Sequence, residues 1–119
     1  MDKITTRKSQ NTIIISTKYG RKSIEKKNII CCSSFSIGTL VSLKEDSHLL
    51  LKESVAELKA HLQGSEFFLV DQYHLINLRH IDAIFSNRII LVNGEKCFID
   101  QKKKEELFMQ IEEYYAMQY

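Results

Sequence analysis

Three kinds of residue in this 119-residue chain could do chemistry: adjacent carboxylates, thiols with imidazoles, and clustered cations. Two carboxylates can divide acid and base roles between them. Here the adjacent acids are Glu45-Asp46, Glu105-Glu106 and Glu112-Glu113, and each pair falls in a turn or on a helix surface, the setting of solvated charges. Ser33-Ser34 lies in no Gly-x-Ser-x-Gly elbow, and no glycine-rich phosphate loop occurs. Cys31, Cys32 and Cys97 contain no Cys-x-x-Cys spacing, and the four histidines complete no zinc pattern with them. The reading is therefore not an enzyme, with no cofactor and no metal. The cysteines suit small buried positions in a reducing compartment, and adjacent Cys31 and Cys32 would face opposite sides of a strand.

The cations are the more informative set. Net charge is only +2, yet residues 1–27 carry eight lysines or arginines against Asp2 and Glu25, a net +6 that leaves −4 for residues 28–119. A basic N-terminal face can meet phosphates; a solvated strand pair and tail would carry the same charge. A second cluster, Lys102-Lys103-Lys104, opens what reads as a terminal helix. Cations there oppose the helix dipole at about 0.3–1 kcal/mol each, which a partner anion would offset and an exposed run would simply tolerate.

These side chains need a scaffold, and the composition supplies one domain. An apolar fraction of 44% and a charged fraction of 27% are ordinary for a globular protein. Neither a bilayer-spanning apolar run nor a signal-peptide pattern is present, so a cytoplasmic protein without a membrane contact is expected. Met1–Asn11 is polar and reads as a flexible tail, with one domain over residues 12–119. Thr12–Thr17, Asn28–Ser34 and Gly38–Lys44 are β-rich runs, with turns at Tyr19-Gly20 and Glu45-Asp46-Ser47 leading into Arg21–Glu25 and His48–Lys52. Ser54-Val55-Ala56-Glu57 matches a capping box. Val55, Leu58 and Leu62 then form one apolar helix face, His61 borders it, and Gly64 suits the stop. Asp82–Ser86 and Arg88–Val92 read as strands, Asn93-Gly94 as a hairpin turn into Glu95–Ile99, and Asp100 as the cap of a helix packing through Leu107, Ile111 and Tyr114 or Tyr115.

Between the two helices lies Phe67–Ile81: four apolar residues, the polar Asp71-Gln72-Tyr73, then Leu75, Ile76, Leu78 and Ile81 with Asn77 among them. An amide in an apolar run must be bonded, so Asn77 is expected to pin a turn or neighbouring backbone. The stretch resembles the LytTR family of bacterial DNA-binding domains. That family's pattern runs aromatic, any residue, Arg, Val or Ile, His, Arg or Lys, Ser, aromatic, two aliphatics, Asn. Phe67 or Phe68, Val70 and Leu75-Ile76-Asn77 keep it, and His74 occupies the second aromatic position. Leu69, Asp71, Gln72 and Tyr73 depart from it at the Arg, His, basic and Ser positions. The resemblance extends over residues 12–113, through Ile29-Ile30, the Ser54–Leu62 helix, Ile81 and Asn93-Gly94.

The resemblance implies a mainly β fold with two helices (α+β), made of short antiparallel strands and hairpins with one mid-chain and one C-terminal helix. It also implies a sequence-specific, response-regulator-like transcriptional regulator whose loop residues enter the major groove of double-stranded DNA. Three segments match the family's contact regions: Asp71-Gln72-Tyr73, Asn87-Arg88, and Lys102 with Lys103. In such an interface Arg88 and the lysines would neutralise phosphates, Asn87 or Gln72 would pair bidentately with adenine, and Asp71 would accept from cytosine N4. The sequence shows neither a receiver nor a membrane segment, so input is expected from another chain (a second copy or a separate signalling protein), from a ligand or from expression level. The alternative is a LytTR-fold protein-interaction module that has lost DNA binding, with Phe108, Tyr114, Tyr115 and Tyr119 facing another chain instead of packing the last helix.

Overall fold

The computed structural model describes residues 2–7 and 11–117, with backbone alone for 5–7. Among the described residues, eleven strands form three antiparallel sheets, accompanied by two α-helices. The first sheet holds β1 (Lys3–Arg7), β2 (Thr12–Thr17) and β3 (Gly20–Glu25). The second, of five strands, contains β4 (Ile29–Phe35), β5 (Gly38–Leu43), β6 (Ser47–Leu51), β7 (Phe67–Asp71) and β8 (His74–Asn77), in the order β6-β5-β4-β8-β7. The third holds β9 (Ile81–Ile84), β10 (Arg88–Leu91) and β11 (Lys96–Phe98). Helix α1 (Val55–His61) joins β6 to β7, and α2 (Gln101–Ala116) ends the described chain. This is the mainly β, two-helix architecture expected, with strand ends shifted by one or two residues in places.

Period-two alternation on the central sheet builds two cores at once. Cys32, Phe67 and Leu75 face one, where Ile13, Ile15 and Ile24 of the first sheet meet Val55, Leu58 and Leu62 around α1. Cys31, Phe68 and Ile76 face the other, with Ile89, Leu91 and Cys97 of the third sheet and Leu107 and Tyr114 of α2. Cys31 and Cys32 thus do face opposite sides. Ile30 shares the second core with its neighbour Cys31. The register shift against β5 between Ile29 and Cys31 explains this, since a bulge residue breaks alternation.

Local signals set the helix starts. Ser54 Oγ accepts from Glu57 N at 3.1 Å, and Glu57 Oε1 accepts from Ser54 N at 3.3 Å, closing the expected capping box. Asp100 Oδ1 accepts from Lys103 N at 2.7 Å at the start of α2. Asn77 is fully enclosed: its Nδ2 donates to Ile29 O at 2.9 Å, and its Oδ1 accepts from Arg79 N at 2.9 Å.

The N-terminal stretch requires a correction. Lys3–Arg7, within the segment read as a tail, is a strand paired antiparallel with β2. Ile4 is buried, and its N–H points at both carboxylate oxygens of the buried Glu53, each at 3.3 Å. Asp2 bridges to Leu51 in parallel, and its carbonyl accepts from Lys52 N. A strand with one interior apolar residue carries no periodic signal of its own. The edge of β2 and a carboxylate 49 residues away supply its structure.

Candidate nucleic-acid interface

Asp71 ends β7 and Gln72-Tyr73 form the turn into β8. A register shift between Leu69 and Asp71 sets Asp71 opposite His74. There the Asp71 carboxylate folds onto its own loop: Oδ1 accepts from Tyr73 N at 2.8 Å and lies 2.9 Å from His74 Nδ1, with Oδ2 at 3.1 Å. Such side-chain-to-backbone bonding is the usual turn chemistry of Asp. Tyr73 O in turn accepts from Ser34 N at 2.9 Å, bracing the loop on the end of β4. Gln72 and Tyr73 are left exposed at the tip, and Asp71 shapes it.

Asn87 and Arg88 occupy the tip of the β9–β10 hairpin, both exposed. Phe85 N donates to Arg88 O at 2.8 Å, and Ile99 N donates to Asn87 O at 3.0 Å. The Arg88 guanidinium carbon sits 4.9 Å above the centre of the Phe85 ring, a cation–π contact that restricts a long side chain. Nothing in the sequence distinguishes Lys104 from its neighbours in the lysine run. Its Nζ donates to Ser86 O at 3.1 Å and Phe85 O at 3.4 Å, so it fastens the first turn of α2 to this tip.

The three lysines therefore divide by surroundings. Lys103 Nζ pairs with Glu106 at 3.3 Å and lies 5.6 Å from the centre of the Phe68 ring. Lys104 serves the hairpin carbonyls. Lys102 is exposed and, among the described residues, has no acceptor. Acceptors within the protein also account for two of the cations placed against the helix dipole.

These contacts connect the three segments. Asn87 is bonded to the residue preceding Asp100, Arg88 pairs in register with Phe98, and Phe68 of β7 lies under Lys103. Asp71 is also felt at β11: burial first, then the charges of Asp71 and Glu95, push the Cys97 thiol up to about 11. The hairpin tip and the start of α2 thus adjoin one another beside β11, and β7, which leads into the Asp71 loop, meets the start of α2 through Phe68 and Lys103. Among the described residues no group of three or more His, Cys, Asp or Glu could hold a metal ion.

The family model described as the LytTr DNA-binding domain matches residues 19–112. The chain belongs to the LytTR family of DNA-binding domains. LytTR domains bind DNA and are not catalytic, so the chain is a DNA-binding domain of the regulatory kind. A solved structure matches with a TM-score of 0.70 at 18% identity, covering 87% of this chain and 98% of its own. It is the LytTr DNA-binding domain of a Bacillus cereus protein assigned as a methyl-accepting/DNA response regulator, and at that identity the likeness concerns the fold. No curated protein matches the chain significantly. Strands β1 and β2 both precede the LytTR-matched span, which begins at residue 19. No helix among the described residues is long and apolar enough to cross a membrane.

Proposed function

We propose that this LytTR domain is a sequence-specific transcriptional regulator that reads double-stranded DNA through the face around β11. The single observation that carries this reading is the bonding of Asn87, Arg88 and the first turn of α2 into one braced unit within a LytTR domain. In this reading Gln72 and Asn87 meet base edges in the major groove, while Arg88 and Lys102 neutralise phosphates. Asp71 acts by shaping the loop that carries Gln72 and Tyr73. Lys103, already paired with Glu106, contributes less than Lys102. The site of action is the cytoplasm, where a bacterial chromosome is accessible.

Fluorescence anisotropy with duplexes selected from a random pool, and with scrambled controls, tests this at several salt concentrations. Tight binding to selected duplexes with a steep salt dependence is expected. Asp71→His with Gln72→Arg, which replaces the loop's acid and amide with the family's residue types, is expected to raise binding to scrambled duplex. Absence of binding by both proteins at low salt would instead favour a LytTR-fold interaction module.

A further inference from the structure

The outward face of the β9–β10–β11 sheet combines cations with exposed aromatics. Arg88 pairs with Phe98 and Ile90 pairs with Lys96, so these four share one side, while Ile89 and Cys97 pair on the buried side. Phe98 is 78% exposed and Phe85 is 49% exposed. The Arg88 guanidinium rests on the Phe85 ring, and Phe98 is its cross-strand neighbour. Single exposed hydrophobics are common and need no account. Here, however, two aromatics flank a cation on a hairpin held by the Phe85–Arg88 backbone bond, by Ile99 N on Asn87 O and by Lys104 on two carbonyls. The registered pairs of this face carry Arg88 and Lys96 and no carboxylate.

A cation alone would serve a phosphate, whereas an exposed ring beside it calls for an apolar group close to that phosphate. Duplex DNA offers one in the major groove, the 5-methyl group of thymine. We propose that Phe98 is a base-reading residue that packs against a thymine methyl, while Phe85 positions the Arg88 guanidinium for the neighbouring phosphate. The proposal rests on the DNA-binding reading above and adds two residues and one base preference to it. An apolar protein surface is the other occupant that this face could take, and the cation pair favours the nucleic acid.

The experiment uses the full chain and a duplex selected from a random pool, with each thymine replaced in turn by deoxyuridine, which deletes only the methyl group. Wild type should lose about fourfold in affinity at one or two positions, the equivalent of one buried methyl. Phe98→Ala should bind thymine and deoxyuridine duplexes equally, and Phe98→Leu should keep part of the difference. Phe85→Leu should weaken all duplexes alike and lower the salt slope, which a purely structural role would leave unchanged. Circular dichroism should show all three variants folded, since both rings lie largely outside the core.

Wild-type binding that ignores every deoxyuridine replacement would overturn the thymine contact and leave DNA binding intact. A Phe98→Ala protein that keeps full discrimination, or that loses only self-association in sedimentation, would overturn it as well. Failure of wild type to bind any duplex would instead remove the DNA reading itself, and the two failures are therefore distinct.

Discussion

The Asn77 amide donates to the Ile29 carbonyl at 2.9 Å across 48 residues of sequence, and its own oxygen accepts from Arg79 N. One fully buried side chain thereby joins the end of β8 to the start of β4 and caps the 3-10 turn Leu78–His80. Asn77→Leu should destabilise the domain by about 1–3 kcal/mol, because Ile29 O and Arg79 N lose their partner in a dry site. Thermal or urea unfolding measures this. Unchanged stability with lost DNA binding would reassign Asn77 from scaffold to contact.

Phosphate and base contacts should separate by salt dependence. Arg88→Ala or Lys102→Ala should weaken selected and scrambled duplexes alike and reduce the log–log salt slope by about 0.9. Lys103→Ala should do so less, because its ammonium is paired with Glu106. Gln72→Ala should cost about 1–3 kcal/mol on a selected duplex and little on a scrambled one. Equal effects of Gln72→Ala on both duplexes would remove Gln72 from base reading.

His80 should make stability fall on acidification. The ring is buried, and its Nε2 donates to Lys27 O at 2.6 Å. Burial is the largest cause lowering its pKa; Lys44 and Arg79 lower it further, and the Lys27 carbonyl opposes them. A lowered folded value means the unfolded chain binds the proton more readily. The contribution is therefore complete above the ordinary imidazole value of about 6.5 and is lost as pH falls through the lower folded value. Denaturation midpoints between pH 7 and 5 should decline, and His80→Gln should flatten that decline.

The cysteines should be inert until the protein unfolds. Burial, then the charge of Glu95, pushes the Cys32 thiol up to about 12. Cys31 is raised more, by burial first and then by its Sγ donating to Glu95 Oε2 at 2.9 Å. Since the thiolate is the reactive form, a disulfide reagent at pH 8 should titrate none of the three rapidly in the native protein and all three in denaturant. One fast native thiol would contradict the buried placement.

The sequence by itself determined whatever a few neighbouring residues can specify. Ser54 and Glu57 close a capping box through one helical turn, Asp100 caps through Lys103 N, and Asn93-Gly94 turns a hairpin, each within three residues. The apolar runs at Ile29–Cys32, Phe67–Val70 and Leu75–Ile76 also marked strands, and with the pattern closing at Asn77 they carried the family resemblance. Tertiary structure alone decided where long-range partners lie. It gave β1 its place, through the β2 edge and the Glu53 carboxylate, although its own residues carry no periodic pattern. It folded the exposed Asp71 carboxylate back onto its own loop, beside a bulge that no turn signal marks. It also separated three identical lysines into one exposed, one paired and one fastening a hairpin 18 residues away in sequence. Capping and turn formation depend on backbone groups a few bonds apart, whereas the fate of a long charged side chain depends on which acceptors the packed sheets bring within its reach.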